Sequence, residues 1–437
     1  MNLKWIYLPV LLACLLIAPG RPGAAENRMN LGDCIETALK NQPQLHAASA
    51  NLDAGKSREK QAFSRYLPQV AASTGYSESQ QDGGAFGYTI MKRYSTSLSV
   101  NQTVYDFGRT GGTYDAARLS TRSAELDAER VKQDVILNVK QAYFDLLQAQ
   151  RLVLLAQKTL DQSQSHLRQA EEFHRAGTKP VFDVTRAEVE VNSMRLGLIN
   201  AENRLRINAM ALNNAMGVDP EGRIEIHDSL EAWPAVPSLE TVKTEALGNR
   251  PDLRKLDTDI AAADARIRAE EAQYLPTLAL NGRYNWNDGT TEMEMLKEDV
   301  DNSWDAEIAL SIPLYEGGLT ASKVDEAKFN RQALRSQREI LRQAILIEIC
   351  RYYAEMESAK VRIDVMRHAL RKAEENFAIA RGRYEEGVGP YIDVTDARVS
   401  SVTAETDYVQ SLYDFQLAAA RLLNAMGKGG QLQGRVE

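Results

Sequence analysis

Apolar and polar residues alternate in several short segments of this chain. From Thr96 onward, Leu98, Val100 and Val104 are apolar and the residues between them are polar, and the stretch from Trp304 onward alternates in a similar way. A period of two over about ten residues indicates β-strands with one apolar and one polar face. The alternation predicts four strands, at about residues 69–77, 94–105, 277–286 and 304–315.

The surroundings of these segments indicate where the strands lie. A two-faced sheet in a soluble protein gives the same alternation, but aromatic residues stand near the strand ends, as in the aromatic girdles of outer-membrane strands. They are Tyr76, Tyr105, Tyr284, Trp286, Trp304 and Tyr315. Polar loops are predicted at about 77–93 and 287–303. After the first 25 residues no run of about 18 apolar residues occurs, so no transmembrane helix is expected. A chain without such a helix can still be a membrane protein if it crosses the lipid with strands. In this register Leu310 faces lipid and Glu307 faces a lumen.

Two segments of about seventy residues contain no proline and carry apolar residues in steps of four and three. The steps run from Val135 to Leu160 and again from Ile345 to Leu370. Such heptads form the seam of a coiled coil, and seventy residues at about 1.5 Å each make a helix about 100 Å long. The pattern predicts long helices at 108–176 and 318–386, followed by returning helices at 183–216 and 393–426.

The chain is an internal repeat. Gly177 recurs as Gly387, and the run that begins at Asn214 recurs 210 positions later, whereas Pro43 recurs 208 positions later as Pro251. A repeat of this length is two copies of one structural unit. In each copy a first helix, at 31–66 or 239–274, is interrupted near its start by the proline. The predicted organisation is a signal segment at 1–25, a first repeat at 26–218, a linker at 219–238, a second repeat at 239–427 and a tail at 428–437.

The first residues have the composition of a secretory signal. Lys4 is followed by the mostly apolar stretch 5–18 and by small residues that end at Ala25. We expect cleavage after Ala25, so that the mature chain begins at Glu26. Two alternatives stay open. One is a membrane anchor, for which the apolar stretch is short of about 20 residues. The other is lipidation at Cys14, which the apolar residues that follow it disfavour.

The composition argues against several classes of function. The formal net charge of −8 does not favour nucleic acid, which attracts basic surfaces. Cys34 and Cys350 do not correspond under the repeat, so a disulfide framework is not expected. The five histidines are scattered, and the sequence has no nucleophile motif, phosphate loop or paired-cysteine metal spacing. We therefore expect no enzyme activity, no cofactor and no metal site.

Repeated motifs across nearly the whole mature chain resemble those of the TolC-like outer-membrane efflux proteins. They are Ala-Leu-x-Asn-x-Pro-x-Leu at 38–45 and 246–253, Tyr-Leu-Pro before each first strand, the strand-to-helix segments 104–108 and 314–318, the segments 177–187 and 387–397, and the two Asn-Ala-Met-Gly endings. Together these motifs are specific to the family, whereas any one of them alone is a weak signal.

The resemblance implies a mainly α protein with a small β part and a duplicated unit of helix, two strands, long helix and helix. Three chains would form a 12-stranded outer-membrane β-barrel continued by a periplasmic α-helical barrel. Four strands cannot close a barrel, and open edges are not tolerated in lipid, whereas twelve lie within the range of closed barrels. The homotrimer would lie in the outer membrane of a Gram-negative cell.

The implied function is an exit duct that exports small molecules and works with a periplasmic adaptor (membrane fusion) protein and an inner-membrane transporter. Its other contact would be outer-membrane lipid, with no nucleic acid. A duct for type I protein secretion has the same fold and stays open as an alternative. A periplasmic coiled-coil scaffold also stays open, although it would need no lipid-facing strands. The sequence does not identify the exported substrate.

The resemblance also assigns roles to the turns between each long helix and its returning helix, called the tips below. Asp393 and Asp396 match the aspartates that form acidic rings at the periplasmic constriction, and Asp183 matches one that pairs with an arginine of the second tip. That arginine corresponds to Gly389 here. From the residues alone, Asp183 and Asp393 are also predicted N-caps. The expected adaptor-docking residues are Gly177, Pro180, Asp183, Val184, Gly387, Pro390 and Val394.

Overall fold

The computed structural model describes residues 29–82, 88–227, 237–292 and 302–430. The predicted signal segment lies outside these residues, with its cleavage site at Ala25 and the alternative lipidation site at Cys14. The helices are α1 (Leu31–Asn41), α2 (Pro43–Phe63), α3 (Arg109–Arg175), α4 (Val181–Ala215), α5 (Leu239–Asn249), α6 (Pro251–Glu271), α7 (Leu319–Glu385) and α8 (Tyr391–Ala425). The strands are β1 (Gln69–Asp82), β2 (Tyr88–Tyr105), β3 (Thr277–Glu292) and β4 (Ser303–Ser311).

The two halves of the chain contain the same elements in the same order. Each half has two short helices, a pair of strands, a helix of 67 residues and a returning helix of 35 residues. Pro43 and Pro251 begin the second short helix of each half, the position where the missing amide hydrogen does no harm. This arrangement confirms the predicted mainly α fold with a duplicated unit.

The ends of the strands in the structure differ from the ends that the alternation predicts. β1 and β2 extend through most of the segment expected as a loop at 77–93, and their ladder continues to the pair Asp82 and Tyr88. β3 likewise runs six residues past the predicted end, to Glu292. By contrast, β4 ends at Ser311 rather than at 315, because Pro313 lacks the amide hydrogen that a ladder requires.

The four strands form one antiparallel sheet in the order β1-β2-β3-β4. Directly opposite residues share a face, and Leu98 lies opposite Tyr284, which lies opposite Trp304. On the other face Arg283 lies opposite Asp305. The register therefore separates an apolar from a polar face, as the alternation predicted, with Leu310 among the apolar and Glu307 among the polar positions.

A bulge at the end of β2 changes this alternation. The ladder passes from Thr103 directly to Tyr105, so that Val104 has no partner in β3. An extra residue in one strand shifts the faces of all residues after it. Tyr105 pairs with Leu278 and takes the position on the apolar face where the sequence pattern had placed Val104.

The repeated sequence motifs at the start and end of each half contact each other. Gly217 has φ 70°, and a Cβ there would lie 2.7 Å from the carbonyl oxygen of Asn41. Gly427 has φ 74°, and a Cβ there would lie 2.9 Å from the carbonyl oxygen of Asn249. Any larger residue would clash with the break between the short helices, which explains why both Asn-Ala-Met-Gly endings carry glycine.

The heptad positions form the cores of the helical part. Val135, Val139 and Leu146 are fully buried in the first half, and Ile345 and Ile349 are fully buried in the second. Each long helix packs along its returning helix, and α3 also packs against α6 and α8. Within the residues that the structure describes, no helix combines the length and the apolar character needed to cross a membrane.

The first part of the predicted linker packs against the helices. Ile226 is buried and forms an isolated parallel bridge with Met29, and the hydroxyl of Tyr143 donates to the carbonyl oxygen of His227 at 2.6 Å. At the other end of the chain, the Lys428 ammonium lies 2.8 Å from the Glu245 carboxylate. These contacts fix the end of the first repeat near the middle of α3 and the end of the second repeat against α5.

Candidate functional site: the tips of the helical hairpins

Glycine ends both long helices. After α3 ends, Gly177 has φ 73°, and the Thr178 amide donates to the Phe173 carbonyl oxygen at 3.0 Å. After α7 ends, Gly387 has φ 77°, and the Val388 amide donates to the Arg383 carbonyl oxygen at 2.9 Å. This is the Schellman arrangement, which requires a left-handed residue and satisfies the last carbonyl groups of the helix. It reverses the chain within five residues at each tip.

Prolines, and not the aspartates, start the returning helices. Pro180 and Pro390 occupy the N-cap positions, and the helices begin at the next residue. The amides of Asp183 and Asp393 each donate to the preceding proline carbonyl oxygen at 3.2 Å. The prediction that these aspartates are N-caps is therefore wrong, because the fixed φ of proline sets the helix start earlier. Their carboxylates lie in the first turn, where the helix dipole favours negative charge.

Asp393 and Asp396 lie three residues apart on α8, and both are exposed. Residues at this spacing lie on the same side of a helix. Within the described part of the chain, neither carboxylate has a hydrogen bond or an ion pair to a side chain. The pair is therefore free to interact with ions or with other chains.

A small apolar core joins the two hairpins behind the tips. Val394 is 3% exposed and Val184 is partly buried, and both pack in a cluster with Tyr384 and Tyr391. Among the expected docking residues, these two valines thus hold the tips together from inside. Gly177, Pro180, Gly387 and Pro390 are exposed.

Exposed apolar side chains beside those glycines and prolines were not singled out from the sequence. Val181 and Phe182 project from the first tip, with Phe182 65% exposed, and Val388 of the second tip is 70% exposed. Together these side chains give the exposed surface of the tips an apolar character, which is a feature of sites that contact another protein. Their position in or directly after a turn of glycine and proline was the available sequence signal.

Tyr384 of α7 lies close to Asp183 of α4. Burial raises the pKa of Tyr384, and the negative charge of Asp183 raises it further. The Lys179 ammonium lies 4.5 Å from the centre of the Tyr384 ring. A Cβ at Gly389 would lie 3.2 Å from the Cβ of Arg383. Within the described residues of this chain, no arginine forms an ion pair with Asp183.

A buried ion pair connects the hairpins about two to two and a half helical turns from the tips. Arg398 of α8 lies 2.8 Å from Glu190 of α4, with side chains 4% and 9% exposed. The same guanidinium nitrogen donates to Ser163 of α3 at 3.1 Å. The hydroxyl of Tyr391 donates to the other carboxylate oxygen of Glu190 at 2.9 Å. Burial raises the pKa of Tyr391, and the negative charge of Glu190 raises it further. This network was not predicted from the sequence.

His166 of α3 lies near this ion pair. Burial lowers the pKa of His166, and the positive charge of Arg398 lowers it further, while Glu190 acts in the opposite direction. The imidazole is therefore held neutral more strongly than in the unfolded chain. No group of side chains in the described residues is arranged to hold a metal ion.

Comparisons with known proteins agree with this geometry. A family model described as outer membrane efflux protein matches residues 34–218 and 242–428, once for each repeat. The outer membrane protein TolC of Vibrio cholerae is 24% identical over 404 residues, covering 91% of this chain and 90% of that protein. The outer membrane protein OprJ of Pseudomonas aeruginosa is 24% identical over 417 residues, covering 92% of this chain and 84% of that protein.

Solved structures show the same fold. A crystal structure of CusC has a TM-score of 0.80 at 22% identity, covering 91% of this chain and 92% of that chain. The outer membrane protein VceC of Vibrio cholerae has a TM-score of 0.78 at 20% identity, covering 91% of this chain and 96% of that chain. The fold is therefore that of outer-membrane channels of the TolC type.

Proposed function

The chain belongs to the outer membrane efflux protein family, and from this premise we propose that three copies assemble into one exit duct for small molecules. As a member of that family, the protein is the outer-membrane component of an efflux system. The proposal adds the number of chains, the path of the substrate and the surfaces that contact other pump components.

The open sheet carries this proposal. In the described residues β1 pairs only with β2, and β4 pairs only with β3, so both edges are free. Unpaired edges cost several kcal/mol per group in lipid. Pairing β4 of one chain with β1 of the next removes every edge when three chains contribute twelve strands, a number found in closed barrels. The apolar face that contains Leu310 would then contact lipid, and the polar face would line the lumen.

Exposed apolar residues on the helices support the same assembly. On α7, Phe329, Ile347 and Val361 are each more than 60% exposed, and on α4 Val189 and Leu196 are similarly exposed. Each helix thus carries apolar side chains that its own chain leaves uncovered. Neighbouring chains would bury them and close the helical part around a continuous lumen.

The tips are the proposed site of gating and docking. Three copies of Asp393 and Asp396 would place six carboxylates around one narrow opening, which favours cations. A periplasmic adaptor would contact the exposed tip residues Val181, Phe182 and Val388 together with the neighbouring glycines and prolines. An inner-membrane transporter would supply the substrate.

The assembly is tested by native mass spectrometry of the detergent-purified mature protein. We expect a mass three times that of the chain, and a band of that size from isolated outer membranes that converts to monomer on heating. A monomer or dimer that persists across detergents and protein concentrations would contradict the proposal.

A duct for secreted proteins has the same architecture, so export assays decide the cargo. Deletion of the gene should raise the intracellular accumulation of small toxic compounds. If deletion instead abolishes the secretion of a protein and leaves that accumulation unchanged, the cargo in the proposal is wrong while the duct remains.

A further inference from the structure

A polar recess of about 500 Å³ lies at the junction of the sheet and the helices, where α2 leads into β1. Its floor is a row of amide side chains on the polar face, because Gln69 pairs with Asn101 and Asn101 pairs with Asn281. Its wall includes Arg65, from the turn after α2, and Arg109, the first residue of α3. The recess therefore combines two guanidinium groups with five neutral amide side chains, which also include Gln61 and Gln102.

The free charge of the recess is positive. Arg65 and Arg109 are exposed and have no side-chain hydrogen bond or ion pair within the described part of the chain. Asp106 is the one carboxylate among the described residues of its lining, and it accepts from the amide of Thr110 at 2.8 Å and from the hydroxyl of the same residue. The second repeat keeps this acid as Glu316, so it serves the helix start in both halves.

The arginines, by contrast, are absent from the second repeat. The position equivalent to Arg65 is Gln273, and the position equivalent to Arg109 is Leu319. Both repeats form the same turn and the same helix start at these positions. The fold therefore does not require arginine at either place.

We propose that this recess binds the anionic group of a solute in the lumen, a carboxylate or a chemically similar oxyanion. An arginine offers a planar fork that matches two carboxylate oxygens, and the side-chain amides of Asn101 and Asn281 add neutral donors. The proposal rests on the duct function, because it places the polar face of the sheet in the lumen. It adds an anion site at the junction of sheet and helices, at the opposite end of the helical barrel from the acidic tips.

The test uses single channels of the assembled protein in planar bilayers, with citrate as the probe and chloride at equal ionic strength as the reference. We expect citrate to block current at millimolar concentration. The variant Arg65→Gln/Arg109→Leu installs the residues of the second repeat, and it should raise the half-blocking citrate concentration about tenfold or more. Arg283→Gln removes the same charge from the same face outside the recess, and it should change that concentration less than twofold.

Each outcome decides the proposal. Equal block of the wild type and the double variant would overturn it, and so would an equal loss of block in Arg283→Gln, which would indicate a general effect of lumen charge. If the double variant fails to insert, Arg65→Gln alone should raise the half-blocking concentration about threefold, and an unchanged value overturns the site. A wild-type protein that never conducts would instead contradict the duct function.

Discussion

Removing the carboxylate of Glu190 is the sharpest perturbation of the tips. This carboxylate is the ion-pair partner of Arg398 and the acceptor of the Tyr391 hydroxyl. The pair joins α8 to α4, and the bond from Arg398 to Ser163 joins α8 to α3. Glu190→Ala would therefore weaken the connection between the two hairpins without touching the exposed carboxylates of the tip.

The burial of Arg398 determines how much stability Glu190→Ala should lose. Arg398 is 4% exposed, and two of its guanidinium nitrogens have no hydrogen-bond partner in the structure. Loss of the Glu190 carboxylate leaves this charge buried and uncompensated, which costs about 3–5 kcal/mol. Glu190→Leu combined with Arg398→Met removes both charges and keeps the volume, so the double variant should be more stable than Glu190→Ala. Its remaining loss should be about 1–3 kcal/mol, because the buried Tyr391 hydroxyl has lost its acceptor.

Hydrogen exchange of the assembled protein, read in peptides from 181–190 and 391–400, measures the local opening. Glu190→Ala should speed their exchange by about two to three and a half orders of magnitude, since 1.4 kcal/mol is a factor of ten. The matched control is Lys158→Ala. Lys158 of α3 forms an ion pair with Glu405 of α8, but at 3.5 Å and with the Lys158 side chain 59% exposed. Loss of this pair should therefore destabilise the protein by at most about 1 kcal/mol. Exchange within about threefold of the wild type in Glu190→Ala would refute this reasoning.

Three further predictions concern the sheet, the gate and pH. Leu310→Arg should cost about 2–4 kcal/mol per chain and reduce trimer bands from outer membranes, whereas Glu307→Leu should assemble normally; the opposite pattern would mean that the register is wrong. Asp393→Ala/Asp396→Ala should assemble and lose most of the block by multivalent cations added from the tip side in planar bilayers. Unchanged block and selectivity would leave the acidic gate without support. Because the folded pKa of His166 is lowered, its contribution to stability is present above the unfolded value of about 6.5 and decreases as pH falls below it. Tip peptides, after correction for intrinsic exchange, should open more at pH 5.5 than at 7.5, and His166→Gln should reduce that difference; an equal difference in the variant would contradict it.

The apolar positions that recur in steps of four and three lie within the two long helices α3 and α7. The heptads from Val135 and Ile345 mark buried seams, and glycine and proline mark the turns. Periodicity failed where other forces set the structure. β1 and β2 continue through polar residues to the pair Asp82 and Tyr88. The backbone hydrogen bonds that hold this part of the ladder do not depend on apolar side chains, so the alternation does not show them. The bulge at Val104 leaves no trace in the alternation.

Only some features of the tips could be predicted from the sequence. The motif identified Asp393 and Asp396, which the structure leaves exposed. The ion pair between Glu190 and Arg398 joins residues 208 positions apart, and the repeat does not reproduce it, because Arg398 corresponds to Glu188. Such a pair arises only when the two hairpins pack together, so no local pattern could predict it.

Single-channel recording of the purified mature protein in planar bilayers under a KCl gradient tests the duct most directly. The account predicts stepwise, long-lived currents with a reversal potential that indicates preference for K⁺, because the proposed lumen would be water-filled and the aspartates of the tips would line its proposed narrow end. Insertion of assembled protein without any conductance above that of the bare bilayer would contradict the central claim.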